Sequence, residues 1–353
     1  MVTMSAIVAL LRAQIPGFSL DQAGSSFADL GVDSFGMLEL RATVERAIGA
    51  PVTDAAWCEL STPAQLIAHL QRDAAALPSG HTPTTLRRRY ALNMPQMALG
   101  GLSESWLFKE LGDAHWSMIT AGLKAPSSAL CDDNGDRLYA ALTRIRIEAT
   151  DPLKAFEENE DVSLEGSIGR YGRGMFFSEI ALHGARKNLK ASLMSSFTKR
   201  GVATSNTSLI KGQPTIPAGC PIPDLAAMPD FGQGYRTQRG HTLAPTLFET
   251  VYDIVPYHDI NGVGLLYFAA YPMVSDICEL AYMKRNSRWA FTSSTVSRDI
   301  FYFANSDATD RIQYRVHARR ETPDGIAIES SLSRVSDGTL MAYIVTNKSV
   351  VHA

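Results

Sequence analysis

The sequence contains the stretch Gly31-Val32-Asp33-Ser34-Phe35-Gly36-Met37-Leu38-Glu39-Leu40-Arg41, from which the rest of the chain is interpreted. Apolar residues recur here at the spacing of one helix face, namely Met37, Leu38, Leu40 and Val44. A helix is therefore predicted to begin near Ser34, which leaves this hydroxyl exposed at the helix N-terminus. Free backbone N–H groups and the helix dipole favour a phosphate there. The simpler alternative is that Asp33 and Ser34 only cap the helix.

The residues around this stretch predict a short helical bundle over residues 1–75. The first helix has apolar residues at helical spacing and ends at Pro16-Gly17. A last helix begins at Ser61-Thr62-Pro63, where a hydroxyl cap precedes a proline that suits the first helical turn. Thr62 follows Ser34 by 62 − 34 = 28 residues.

The Asp33-Ser34 pair and the later Thr62-Pro63 pair resemble the phosphopantetheine attachment site of acyl carrier and peptidyl carrier domains. This resemblance implies that Ser34 carries 4′-phosphopantetheine, attached by a phosphopantetheinyl transferase. Residues 1–75 are accordingly assigned to a carrier domain.

The remainder of the chain repeats one pattern. Residues 76–88 are rich in small residues and proline and predict a flexible linker. After the linker, a helix from about residue 102 precedes strand-like runs at 138–147, 174–183 and 189–198. A second helix is predicted from Asn261, and Pro272 predicts a kink or break in it near residues 268–271. This helix precedes strand-like runs at 289–304, 311–319, 326–333 and 340–347. The predicted fold class is α+β: a small helical carrier bundle followed by a double hot-dog, in which two antiparallel sheets each wrap a central helix. Its first hot-dog half is residues 89–235 and its second hot-dog half is residues 236–353, and a Gly/Pro-rich surface connection joins them.

Composition narrows the function classes. The net charge is −3 and 45% of residues are hydrophobic, so neither nucleic acid nor a membrane is an expected partner. Cys58, Cys131, Cys220 and Cys278 lie far apart, which predicts no disulfide framework and no metal site. A cytoplasmic location is expected because the N-terminus lacks a signal-peptide pattern.

Three segments resemble the double hot-dog family typified by the leinamycin-pathway bifunctional acyltransferase/decarboxylase: 101–107, 259–271 and 298–305. The resemblance covers about residues 89–353. It implies decarboxylation of a malonyl- or methylmalonyl-type coenzyme A thioester and loading of the acetyl or propionyl product onto a carrier protein. Polyketide synthase modules are the expected downstream partners, and a homodimer is left open.

In that family the thioester lies along a central helix. We therefore expect Asn261, Gly262 and Gly264 at its N-terminus, with glycine allowing close approach to backbone N–H groups. Tyr267 is expected in the substrate-binding wall, although the same segment also suits a buried core helix.

The resemblance also implies that a tyrosine in the first hot-dog half carries the acyl group. Tyr139 is the candidate, with Tyr90 in reserve; Arg144 and Arg146 are near it in sequence. His258 and Asp259 are candidate acid–base residues, or a surface histidine and a helix cap.

Two rival functions remain open. One is a hot-dog dehydratase or thioesterase that acts on carrier-bound acyl groups; the dehydratase would use His115 or His258 with Glu104 or Asp259. The other is a non-catalytic docking protein for a loaded carrier.

Overall fold

The computed structural model describes residues 4–15, 17–32, 36–37, 40–41, 44, 52, 56–57, 59–76, 84–99, 101–203, 205–239, 242–285, 293–322 and 325–350. The chain divides into two compact units, Met1–Gly80 and His81–Ala353. Each unit has its own cluster of buried apolar side chains.

The first unit is built from helices. Helix α1 spans Met4–Gln14 and helix α2 spans Pro63–Ala76. Residues 36–37, 40–41 and 44 are also helical, which confirms the predicted helix there, whereas Asp33 and Ser34 lie outside the described residues. The start of α2 is confirmed as well. Thr62 Oγ1 accepts the Gln65 N–H at 3.2 Å while Gln65 Oε1 accepts the Thr62 N–H at 3.0 Å, so the two residues form a reciprocal cap.

The second unit combines helices with a large antiparallel sheet. Its helices are α3 (Glu104–Leu123), α4 (Asp230–Arg239), α5 (Pro256–Asp259) and α6 (Ala270–Arg285). Its strands are β1 (Thr85–Ala91), β2 (Met97–Ala98), β3 (Gly101–Leu102), β4 (Tyr139–Ala149), β5 (Asp161–Tyr171), β6 (Met175–His183), β7 (Asn188–Arg200), β8 (Leu209–Gly212), β9 (Phe248–Asp253), β10 (Ser293–Tyr302), β11 (Arg311–Thr322), β12 (Gly325–Arg334) and β13 (Leu340–Val350).

The sheet has two halves with the same strand arrangement. Its order is β1-β5-β6-β7-β4-β10-β13-β12-β11-β9, with β8 beside β7. Outward from the central β4–β10 pair, the strand order is β4-β7-β6-β5-β1 in one half and β10-β13-β12-β11-β9 in the other, so equivalent strands occupy equivalent positions. In that pair Ile145 lies opposite Ile300. Helix α3 packs on β1, β5 and β6, α6 packs on β9 and β12, and the two helices contact each other. The predicted repeat of one helix and several strands is therefore present.

Helix α3 illustrates how the sequence positions these elements. Ser103 caps it, because its Oγ accepts the Trp106 N–H at 3.3 Å, and Lys124 ends it in the left-handed conformation at φ 54°. Buried residues recur three or four positions apart along it: Leu107, Leu111, Ala114 and Met118.

The second central helix differs from its prediction. Residues 261–269 form turns, and α6 begins only at Ala270. Pro272 is the third residue of α6, where the backbone N–H groups have no helical partner, so proline neither kinks nor breaks the helix. The predicted helix start at Asn261 is therefore wrong by nine residues.

The predicted boundaries also need correction. Strand β1 begins at Thr85, so residues 85–88 belong to the sheet and not to the linker. The division at residues 235 and 236 falls inside α4, where the Tyr235 hydroxyl donates to the Tyr302 carbonyl at 3.0 Å. Strands β1, β5 and β9 and the short strands β2, β3 and β8 were not predicted. Within the described residues, no helix is both long and apolar enough to cross a membrane.

Candidate functional site

A cavity of about 310 Å³ lies in the second unit, between elements of both halves. Its walls are the middle of α3 (residues 112–116), the beginning of β4 (residues 137–142) and the loop of residues 261–268 that precedes α6. Five residues singled out from the sequence line it together: His115, Tyr139, Asn261, Gly262 and Tyr267. Residues far apart in the chain thus meet at one site.

The side chain of Asn261 holds the loop in shape. Its Oδ1 accepts the N–H groups of Val263 at 3.1 Å and Leu265 at 3.0 Å. Gly264 has φ +81°, a conformation that favours glycine, and its carbonyl accepts Asn206 Nδ2 at 2.6 Å. Gly264 therefore shapes the turn and does not line the cavity.

The loop leaves hydrogen-bond donors available at the cavity. Among the described residues, no acceptor is found for Asn261 Nδ2 or for the backbone N–H of Gly262. A side chain at Gly262 would meet nothing within 4 Å, so a ligand can approach this backbone closely. The two groups can stabilise negative charge on a ligand oxygen.

Two arginines flank the ring of Tyr139. The guanidinium carbon of Arg137 lies 5.2 Å from the ring centroid and that of Arg200 lies 5.4 Å from it. Strand pairing brings Arg200 there, because Tyr139 lies opposite Thr198 in the β4–β7 register. Arg200 Nη2 also donates to the Val263 carbonyl at 2.6 Å and so joins Tyr139 to the loop.

The two arginines of β4 that follow Tyr139, Arg144 and Arg146, are engaged elsewhere. Arg144 forms a bidentate pair with Asp299, at 2.6 and 2.9 Å, and its guanidinium carbon lies 4.3 Å from the Phe231 ring centroid. Arg146 also lies over Phe231, at 5.6 Å. Neither lines the cavity.

Tyr267 and Phe268 form the wall next to α3. Burial, together with the negative charges of Asp113 and Glu110, raises the pKa of Tyr267, so its hydroxyl stays protonated and able to donate. Phe268 fits against Gly112, where a Cβ atom would come within 2.1 Å of the ring.

His258 and Asp259 do not form the predicted acid–base pair. His258 is exposed on α5, whereas Asp259 is fully buried. The Asp259 carboxylate accepts the Val255 N–H at 2.7 Å and the Tyr252 hydroxyl at 3.0 Å. Asp259 therefore closes the turn of α5, which differs from the predicted cap of a helix beginning at Asn261.

The residues proposed for a dehydratase are also occupied. His115 lines the cavity but is buried, and its ring nitrogens lie 2.7 Å from Ser178 Oγ and 2.7 Å from Ser195 Oγ. Burial lowers its pKa to about 3, which keeps the imidazole neutral. Glu104 pairs with the buried Arg298 at 2.5 Å, away from this cavity.

The reserve tyrosine, Tyr90, lies outside the cavity. Its hydroxyl donates to Glu110 Oε2 at 2.6 Å. Within the described residues, no group of histidine, cysteine and carboxylate side chains is arranged to hold a metal ion.

Comparison with known proteins identifies the first unit. The family described as "Phosphopantetheine attachment site" matches residues 5–70. The first unit is a phosphopantetheine attachment domain. Such a domain implies a covalently attached 4′-phosphopantetheine, as predicted. The attachment residue, Ser34, lies outside the described residues, and residues 36–37 after it are helical. No curated protein matches the chain.

Solved structures identify the fold of the larger part. A 12:0-ACP thioesterase from Umbellularia californica is 11% identical, with a TM-score of 0.54 over 76% of this chain and 94% of the thioesterase. A protein assigned as an oleoyl thioesterase from Lactobacillus plantarum is also 11% identical, with a TM-score of 0.55 over 78% of this chain and 99% of that protein. At this identity the likeness establishes a hot-dog thioesterase-like fold.

Proposed function

We propose that this chain is an acyl-thioester enzyme whose second unit, a double hot-dog, transfers an acyl group to phosphopantetheine on Ser34. The observation that carries the proposal is the position of Tyr139. Its ring contacts the guanidinium groups of Arg137 and Arg200 and lies in the wall of a cavity that the loop of residues 261–268 also lines. The attachment domain on the same chain supplies the acceptor.

The donor is an acyl-coenzyme A thioester, and its carbonyl oxygen faces the loop. Asn261 Nδ2 and the Gly262 N–H donate to this oxygen and stabilise the charge that develops on it. Tyr139 Oη forms a bond to the carbonyl carbon, the carbon–sulfur bond to coenzyme A breaks, and the phenolic proton passes to the departing sulfur. Arg137 and Arg200 stabilise negative charge on the phenolic oxygen during this step. The phosphopantetheine thiol on Ser34 then forms a bond to the acyl carbon, the carbon–oxygen bond to Tyr139 breaks, and the thiol proton passes to the phenolic oxygen.

A malonyl- or methylmalonyl-type acyl group is the substrate class that we favour. Arg137, which lines the cavity, offers positive charge to its carboxylate, and the apolar Leu265 and Phe268 limit solvation. When the carbon–carbon bond breaks, carbon dioxide leaves and its bonding electrons form an enolate. Asn261 and Gly262 stabilise the enolate oxygen, and a proton from solvent completes the α-carbon. Polyketide synthase modules would then receive the loaded carrier.

Hydrolysis is the second candidate, because the similar solved structures include an acyl-ACP thioesterase. Water would need a base, and the carboxylate in the cavity wall is Asp113. Arg88 Nη1 pairs with this carboxylate at 2.7 Å and so occupies it. A dehydratase lacks support because both nitrogens of His115 are engaged and His258 is exposed.

Intact-protein mass spectrometry tests the proposal. The chain is converted to its holo form with a phosphopantetheinyl transferase and incubated with methylmalonyl-coenzyme A. We expect the phosphopantetheine arm to carry one propionyl group, detected by releasing the acylated arm from the protein in the mass spectrometer. Ser34→Ala should lack this signal, and Ser25→Ala, which changes an exposed serine of the same unit, should keep it.

Each other outcome contradicts part of the proposal. Retention of the methylmalonyl group rejects decarboxylation. Release of free acid without protein loading indicates a thioesterase. An unchanged holo protein with intact methylmalonyl-coenzyme A rejects this reaction and favours a docking protein.

A further inference from the structure

The second unit contains another cavity, of about 440 Å³, separate from the Tyr139 site. It lies at the start of α3, against residues 272–284 of α6 and residues 293–295 of β10. No residue lines both cavities.

The two cavities occupy equivalent positions in the two halves. The Tyr139 cavity combines the segment before α6 with the middle of α3 and the beginning of β4. The second cavity combines the segment before α3 with α6 and the beginning of β10. Since β4 and β10 are equivalent strands, one cavity is the counterpart of the other. A chain that fits one cavity has an equivalent path into the other.

The second cavity is chemically different from its counterpart, because a charged cluster forms its floor. Arg298, fully buried, pairs with Glu104 at 2.5 Å and with Asp276 at 2.7 Å. Lys348 pairs with Asp276 at 2.8 Å and with Glu279 at 2.7 Å. Three carboxylates thus face two cations, which leaves an excess of negative charge. Lys284 also lines the cavity but is exposed, so water and salt screen its charge.

One acceptor of this floor has no partner. Glu279 is only 3% exposed and lines the cavity, and no group in the described part of the chain donates to its Oε2. A buried acceptor without a partner favours a ligand that brings an N–H or O–H donor. The rest of the wall is largely apolar, including Leu102, Met273 and Ile277.

We infer that this cavity is a second binding site for acyl-pantetheine, selective for acyl groups without a carboxylate. The apolar wall accommodates the acyl chain, the pantetheine amide N–H groups match the free acceptor, and the excess negative charge repels a malonyl-type carboxylate. The site would therefore hold the decarboxylated product and exclude the substrate. This assignment rests on the proposed function for the identity of the acyl group.

The second cavity is not an alternative reaction centre. Glu104 is held by Arg298 and also accepts the Thr295 hydroxyl at 2.8 Å, so it is not free to act as a base or nucleophile. Ser103 Oγ is engaged in capping α3. Binding is the role that remains for this site.

Calorimetric binding stoichiometry tests the inference with two probes that cannot react. These are S-hexyl-pantetheine and S-(5-carboxypentyl)-pantetheine, both thioethers, titrated into the full-length Ser34→Ala chain, which cannot carry its own arm. We expect two equivalents of the hexyl probe and one of the carboxylated probe. Glu279→Gln removes one negative charge and should strengthen binding of the carboxylated probe to the second site by about fivefold or more.

Variants that block the second cavity show which bound equivalent of the probe occupies that cavity. Ile277→Trp places an indole at a 48% exposed position of the wall and should remove one equivalent of the hexyl probe. Val251→Trp, at a 43% exposed position outside both cavities, should remove none. Leu280→Trp, at a 41% exposed position of the same wall, replaces Ile277→Trp if that variant does not fold.

The outcomes separate this inference from the proposed function. If hexyl-probe stoichiometry is the same with and without the blocking residue, the inference is overturned. A single equivalent that the blocking residue abolishes supports the second site and counts against binding at Tyr139. Because the readout is binding, failure of acyl transfer leaves the result interpretable.

Discussion

At the scale of single residues, the proposal depends on the hydroxyl of Tyr139. Tyr139→Phe keeps the ring and its contacts with Arg137 and Arg200 but removes the nucleophilic oxygen. We expect the rate of acyl transfer to fall by about 100-fold or more while KM changes little. Single-turnover assays of acyl loading measure this.

A second tyrosine provides the matched control. Tyr90→Phe removes a hydroxyl that donates to Glu110 outside the cavity, so acyl loading should continue. Loading by Tyr139→Phe within twofold of the wild type would show that Tyr139 is not the nucleophile.

At the scale of elements, a polar contact joins helix α3 to two strands. His115 of α3 interacts with Ser178 of β6 and Ser195 of β7, and a neutral imidazole, with one donor and one acceptor, suits two hydroxyls. The pKa of His115 is lowered to about 3 in the folded chain, whereas an unfolded histidine has a pKa of about 6.5. Below pH 6.5 the unfolded chain therefore binds a proton that the folded chain does not.

This difference predicts how stability changes with pH. The free energy of unfolding should fall as the pH decreases from 6.5 towards 3, by up to about 1.4 kcal/mol per pH unit from this group. His115→Gln should reduce the slope of unfolding free energy against pH by up to about 1.4 kcal/mol per pH unit, which corresponds to one proton taken up on unfolding. Urea titrations at several pH values measure this slope. Ser195→Ala loses one hydrogen bond but keeps the buried imidazole, so its slope should persist. An unchanged slope in His115→Gln would contradict the assignment.

At the scale of the whole second unit, the central β4–β10 pair unites the two halves. Arg144 of β4 and Asp299 of β10 form a bidentate pair across it, with side chains 8% and 18% exposed. Asp299→Ala leaves the guanidinium without its carboxylate and should cost about 3–5 kcal/mol of unfolding free energy.

A surface ion pair provides the comparison. Glu249→Ala removes the partner of Arg315 from an exposed pair and should cost about 0–1 kcal/mol. Because one apolar core runs through both halves, the unit should unfold in a single transition by both circular dichroism and fluorescence. Separate transitions for the halves would contradict this.

Local sequence patterns determined the elements of this protein. The period of buried residues identified α3 and the helix after Ser34, because helix geometry places residues three and four apart on one face. Alternation located β4, β6, β7 and the last four strands within a few residues. The Asp33-Ser34 and Thr62-Pro63 pairs identified the attachment domain, since their information is local.

Tertiary structure decided which of these residues meet. Arg200 reaches Tyr139 only through the β4–β7 register, and strand pairing is not encoded within either strand. The loop after Asn261 replaces the predicted helix because Asn206 and Asn305 bind its backbone from distant parts of the chain. The charged floor of the second cavity likewise draws on α3, α6, β10 and β13. The sequence by itself therefore determined the carrier motif and the elements, while non-local hydrogen bonds and strand register decided the sites.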